Sequence, residues 1–210
     1  MKLDIPAGDF DAYIFDLDGT LVDSMPLHYR AWDAAMREFG LREKLDENLF
    51  YSLGGVNTQG VAITFGERYG LALDPEKVMH VKEALYLKLV PEIKRIEPVV
   101  DFAERVAKTR PVAIATGGLI DIAGPAIKAA GLDAIFKIVV TPADVAPGRG
   151  KPRPDMFELA AKRCGVNPKN CLVFEDAAPG IQAAIAAGMK VVHVPSRATR
   201  GASESASESE

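Results

Sequence analysis

The sequence predicts an α/β fold in which a doubly wound parallel sheet carries an all-helical insertion. Three observations lead there. Five short apolar runs, rich in β-branched or aromatic residues, are spread along the chain. Helix-length segments, with proline near the start or glycine past the end, separate the later runs. About 95 residues of mostly helical pattern lie between the first run and the second, too many for a single crossover.

The first strand is expected at Ala12 to Asp16 (AYIFD). Helices should follow at Leu27 to Phe39, Glu47 to Leu53, Gly60 to Tyr69 and Pro75 to Leu89, and a fifth at Pro98 to Lys108 returns the chain to the sheet. The remaining strands are expected at Val112 to Thr116, Phe136 to Val140, Cys171 to Glu175 and Val191 to Val194. Near-continuous apolar character suits strands covered on both faces. Between them fall helices at Ile120 to Ala130 with Gly131 after it, Pro154 to Cys164 with Gly165, and Pro179 to Ala187 with Gly188. Alternating strand and helix gives a Rossmann-like core, expected over 1–23 and 99–197, with the helical insert over 24–98. The final segment 198–210 (ATRGASESASESE) has no apolar anchor and is expected to be a disordered tail.

At 210 residues the chain can bury a real core, and 48 % apolar with 26 % charged residues is a globular balance. Twenty-five Lys plus Arg against 29 Asp plus Glu leave no basic excess to neutralise a nucleic-acid backbone. No apolar run approaches the ~18 residues of a membrane span, and the opening MKLDIPAGDFDAY puts acids where a signal peptide needs an apolar stretch. The expectation is a cytoplasmic monomer with no nucleic-acid or membrane partner. Two cysteines, Cys164 and Cys171, make neither a disulfide framework nor a thiolate zinc site. His28, His80 and His193 are far apart in sequence, so a metal here needs hard oxygen ligands.

Four clusters carry the chemistry. Asp16 and Asp18 (DLDGT) stand two apart at a strand end and should project to one side, into the region beyond the strand's carboxyl end. An acidic turn is the plain alternative. A calcium loop is excluded because Gly19 falls at loop position four and Leu27 at position twelve. Thr116 and Gly117, with Gly118, offer a hydroxyl and bare N–H groups before a helix, which suits a phosphate oxygen or makes an ordinary turn. Lys151, in GKPRPD, is a fixed ammonium or a solvated loop lysine. Glu175 and Asp176 are adjacent acids at a strand end, which a divalent cation would reconcile. Asp176 is also placed to cap the next helix. Together the clusters supply a nucleophile, a proton donor, metal ligands and charge clamps, the inventory for moving a phosphoryl group. No Walker glycine loop is present.

The motifs FDLDGTLVDS, ATGG, GKPRPD and FEDA, in that order, resemble the haloacid dehalogenase superfamily of phosphohydrolases, in the branch with a helical cap after the first motif. The stretches DSMPLHYRAW and FEDAAPGIQAAIAAGM are similar to β-phosphoglucomutases and fructose-1-phosphate and related sugar phosphatases. The resemblance implies Asp16 as nucleophile forming an aspartyl-phosphate, and Asp18 as general acid/base whose backbone carbonyl also ligates Mg²⁺. It implies Thr116, Gly117 and Lys151 on the phosphoryl oxygens. Asp16, Asp18 and Asp176 would hold Mg²⁺, with Glu175 a direct ligand or one step behind. The Asp at position 18 speaks for phosphate-ester chemistry over C–Cl or C–P cleavage. His28 is implied as a cap residue near the acid/base, although spacing alone reads it as a surface histidine beside a packed Trp32. Gly55 lies in the matching cap turn, Leu53 to Thr58, where mutases carry a Lys and an Arg; here those places hold Gly54 and Thr58. That favours a phosphatase acting on a small sugar phosphate and keeps a β-phosphoglucomutase as the alternative. A non-catalytic phosphometabolite-binding protein is the third reading.

Overall fold

The structure is a computed structural model, and it describes residue 1 and residues 3–195. The expected tail at 198–210 lies outside the described residues. In chain order the elements are β1 (Ala12–Phe15), α1 (Met25–Glu38), α2 (Glu47–Ser52), α3 (Thr58–Tyr69), α4 (Pro75–Leu89), α5 (Glu97–Val106), β2 (Val112–Ala115), α6 (Ile120–Ala129), β3 (Ile138–Val140), α7 (Asp155–Arg163), β4 (Cys171–Glu175), α8 (Ala178–Ala186) and β5 (Lys190–His193). The chain divides into two compact units, one of Met1–Asp23 with the residues from Lys94 on, the other of Ser24–Ile93.

The first unit is a five-stranded sheet in the order β3-β2-β1-β4-β5, every pair parallel. The strand order reverses at β1, so β1 and β4 flank the crevice where ligands bind in open α/β sheets. Strands β2 and β4 are buried along their whole length, as their apolar sequences require. On one face Ala12, Ala113, Ala115 and Val173 pack with Met156, Phe157, Ala160 and Ala161 of α7 and with Ala183 and Ala184 of α8. Small residues on both sides let helix and strand approach closely. The other face is aromatic. Phe15 stacks on Phe174 at 4.7 Å, and Phe102 of α5 reaches Phe174 at 4.9 Å and Tyr13 at 5.5 Å.

Two short backbone bridges, Asp18↔Val22 and Val22↔Arg95, stitch the segment following β1 to the returning chain. Asp23 N–H donates to Lys94 O at 2.8 Å and Ile96 N–H to Leu21 O at 2.8 Å. These bonds place residues 94–98, expected in the insert, with the sheet unit. Strand limits also differ from expectation, with β1 ending at Phe15, β2 at Ala115 and β5 at His193, each one residue early. Phe136 is not in β3 because its N–H closes a turn onto Leu132 O. β5 starts at Lys190, which pairs with Leu172, one residue before the apolar run.

The second unit is all helical. Helices α1 and α4 are its longest, and Trp32, Met36, Phe50, Phe65 and Val78 form its core, with Trp32 edge-on to Phe65 at 5.3 Å. Trp32 is thus a packing residue. Asp46, Asn57 and Asp74 cap α2, α3 and α4 by accepting from backbone N–H groups. The Asn57 cap moves the start of α3 to Thr58, two residues before the expected Gly60. No helix among the described residues is long and apolar enough to cross a membrane.

Candidate active site

The ends of β1 and β4 bring Asp16, Glu175 and Asp176 together, although about 160 residues separate the first from the others. The parallel register aligns Phe15 with Phe174, so the next residues leave the two strands side by side. Each of the three acids offers a carboxylate oxygen within 4.8 Å of the others. Lys151 joins them from the loop before α7, its Nζ 2.7 Å from Asp16 Oδ1 and 2.7 Å from Glu175 Oε2. The lysine side chain is 11 % exposed, the Asp16 side chain 8 % and the Glu175 side chain 2 %, so this is a buried pairing and not a solvated loop contact. The Lys151–Pro152 peptide bond is cis.

The electrostatics follow from two buried acids and a half-buried one gathered around one ammonium. Burial pushes Glu175 up to about 8, and the charge of Asp16 adds to it. Burial also pushes Asp176 up to about 7, again with Asp16 adding. Asp16 is raised as well, by burial first, with Lys151 opposing. For Lys151 burial works against the charge, but the Asp16 and Glu175 carboxylates outweigh it and hold the ammonium above its ordinary range. The acids outnumber the cation, and every donor is a hard oxygen. The set fits a divalent cation of the Mg²⁺ type.

Glu175 and Asp176 are held differently. Glu175 accepts from Lys151 on Oε2 and from Ala177 N–H on Oε1 at 3.2 Å. Asp176 Oδ1 accepts from Thr20 Oγ1 at 3.3 Å. Asp176 does not cap α8, whose N-cap is Ala177 with no side-chain bond. Gly19, at φ +87°, makes room for Asp176, since a Cβ there would stand 2.2 Å from Asp176 Oδ2.

Thr116 follows β2 and is fully buried. Its Oγ1 accepts from Gly118 N–H at 3.1 Å, which leaves the hydroxyl proton to be donated. Asp18 stands near this turn, its Oδ2 4.0 Å from the position of a Cβ on Gly118. Of the sequence-derived site residues, the sheet unit therefore gathers Asp16, Asp18, Thr116, Gly117, Lys151, Glu175 and Asp176. His28 and Gly55 belong to the helical unit. His28 stacks on Tyr86 at 3.9 Å, and Lys82 Nζ lies 3.0 Å from its Nδ1. Lys82 is 4 % exposed. Gly55 occupies an exposed turn at φ +88°.

Sequence reasoning did not single out Lys82, Thr20 or Gly180. Lys82 reads as one more polar residue on an amphipathic helix. Thr20 and Gly180 lie inside quoted motifs, but their contacts appear only when the strands are paired.

Residues 10–188 match the family described as haloacid dehalogenase-like hydrolase. The chain belongs to the haloacid dehalogenase-like hydrolases. It is similar to fructose-1-phosphate phosphatase YqaB of Escherichia coli, 38 % identical over 182 residues, covering 86 % of this chain and 94 % of that one. It is also similar to hexitol phosphatase A of Escherichia coli, 31 % identical over 182 residues, covering 87 % and 82 %. Among solved structures, CbbY from Rhodobacter sphaeroides in complex with phosphate superposes with a TM-score of 0.80 at 23 % identity, over 91 % of this chain and 88 % of that one. That last likeness is one of fold. The sequence relatives place this haloacid dehalogenase-like chain beside the sugar-phosphatase branch.

Proposed function

We propose that this hydrolase is a Mg²⁺-dependent phosphatase of a small sugar phosphate, a fructose 1-phosphate or related hexose phosphate, working through an aspartyl-phosphate on Asp16. The observation that carries the reading is the buried Asp16–Lys151–Glu175 arrangement at the ends of β1 and β4. The names of the two Escherichia coli relatives support the substrate class.

Asp16 attacks the phosphorus, and the bond from phosphorus to the alcohol oxygen breaks. Asp18 gives its proton to that leaving oxygen. In the second step Asp18 takes a proton from water as the water attacks the phosphorus, and Asp16 is released as a carboxylate. Lys151, the Thr116 hydroxyl and the Gly117 N–H bind the phosphoryl oxygens and offset the repulsion between two anions. Asp16 and Asp176, with the Asp18 carbonyl and Glu175, would hold Mg²⁺, which when bound supplies further positive charge to the phosphoryl oxygens. The two hydrogen bonds on Glu175 favour its acting chiefly by fixing Lys151. The helical unit, with His28 and Gly55, is proposed as the cap that selects the sugar. Gly54 and Thr58 give the expected cap turn no cation for a second phosphate, which favours hydrolysis over mutase turnover. Cytoplasmic location and a monomeric state belong to the same proposal.

The test is phosphate release from fructose 1-phosphate, β-glucose 1-phosphate, glucose 6-phosphate, phosphoglycolate and a nucleoside monophosphate, with and without Mg²⁺. Release from one or two sugar phosphates supports the reading. Conversion of β-glucose 1-phosphate to glucose 6-phosphate without release would replace it by the mutase.

A further inference from the structure

Two glycines, Gly117 and Gly118, follow β2 in the turn that carries Thr116. Glycine is normally retained because the backbone needs positive φ or because a side chain would collide with its surroundings. Neither reason applies here. Among the described residues nine glycines have positive φ, and these two are not among them. A Cβ at Gly117 would meet nothing within 4 Å. A Cβ at Gly118 would meet only ordinary contacts, 3.6 Å to Thr116 Oγ1, 3.8 Å to the Ala123 Cβ and 4.0 Å to Asp18 Oδ2. Alanine at such positions normally stabilises a protein by restricting its unfolded chain. The protein forgoes that stabilisation twice in succession, beside its own phosphate-binding threonine.

The three neighbours of the missing Gly118 side chain say what the space serves. Thr116 faces the phosphoryl group and Asp18 the leaving oxygen, on the reading proposed above. A Cβ at Gly118 would therefore stand beside the first carbons of the departing alcohol. The next two residues, Leu119 and Ile120, are 46 % and 50 % exposed and open α6. The turn thus offers bare backbone followed by two apolar side chains, a surface for C–H groups and not for a charge.

We propose that Gly118 determines specificity by clearing space next to Asp18 for an alcohol branched at the ester carbon or at the carbon beside it. Fructose 1-phosphate and β-glucose 1-phosphate both meet that description. An unbranched leaving group does not need the clearance. The inference rests on the assignment of Asp18 and Thr116 proposed above.

The experiment compares kcat/KM of wild type, Gly118→Ala and Gly118→Val for the better of those two hexose phosphates and for ethyl phosphate, alongside thermal midpoints. The expected result is a hexose-to-ethyl-phosphate ratio at least tenfold lower in Gly118→Ala and lower again in Gly118→Val. The midpoint of Gly118→Ala should be equal to or above that of wild type, a gain that a merely structural glycine would not give. Equal losses on both substrates, an unchanged ratio, or a lowered midpoint in Gly118→Ala would overturn the inference while leaving the phosphatase reading intact. A wild type that hydrolyses neither substrate would overturn the phosphatase reading itself.

Discussion

The carboxyl carbon of Glu175 lies where a side chain on Gly180 would have to begin, 2.1 Å from the position of a Cβ there. Glu175 cannot simply swing aside. It is 1 % exposed, pinned by Lys151 on one oxygen and by Ala177 N–H on the other. Helix α8 can therefore pack against the end of β4 only because its third residue is bare. The same glutamate holds Lys151, and Lys151 holds Asp16. A glycine in a helix is in this way coupled to the proposed nucleophile.

Gly180→Ala should accordingly damage activity more than its chemistry suggests. We expect about 1–3 kcal/mol of destabilisation, as for overpacking a buried site, and a fall in kcat of at least tenfold. Denaturant midpoints and steady-state kinetics check both. An alanine variant with wild-type stability and turnover would show that the Glu175 position is dispensable.

Lys151→Ala should cost about 3–5 kcal/mol, the usual effect of removing one partner from a buried pair. It strips the ammonium from Asp16 and Glu175 together. Phosphate release should become undetectable. Urea unfolding of the purified variant measures the stability effect, and a loss below about 1 kcal/mol would mean that the pair behaves as a surface contact.

Mg²⁺ should raise the melting temperature of the chelator-treated protein. A ligand that binds only the folded state at a hundredfold excess over Kd contributes about 2.7 kcal/mol. Asp176→Asn should abolish most of that shift, because it removes one of the three converging carboxylates. Calorimetry with and without the ion checks this independently of activity. An equal shift in wild type and variant would place the ion elsewhere.

The pH dependence of stability is sharpest to predict at Asp144. The Arg163 guanidinium, helped by the Thr141 N–H, holds this carboxyl below its usual range. A carboxyl lowered on folding stabilises above its unfolded pKa of about 3.9, and that contribution is lost as pH falls through the folded value. Asp144→Asn should thus lose about 1 kcal/mol at neutral pH. The gap to wild type should stay constant down to about pH 4 and close only below it. A gap that closed between pH 6 and 5 would assign the effect to another group.

Much of this was legible in the sequence, for identifiable reasons. β1, β2 and β4 are apolar runs closed by a functional residue, so the sequence alone places Asp16, Thr116 and Glu175 at strand ends. Lys151 was legible only through its motif, since its local sequence reads equally well as a solvated loop. The contacts that organise the site were not legible. Thr20 on Asp176, Gly180 under Glu175 and Lys82 against His28 join residues that are distant in sequence or masked by a helical pattern, and periodicity reports burial of a face, not the neighbour it meets. The start of β3 was misjudged because Phe136 is apolar enough for a strand while its N–H is already taken by Leu132.

The central claim is that Asp16 is the nucleophile of a phosphate-ester hydrolysis. Its most direct measurement is phosphate release from a hexose monophosphate by wild type and by Asp16→Asn, with circular dichroism to show that both are folded. The account predicts Mg²⁺-dependent release by wild type and at least a thousandfold loss in a folded Asp16→Asn. Release by Asp16→Asn at a rate near that of wild type would contradict it.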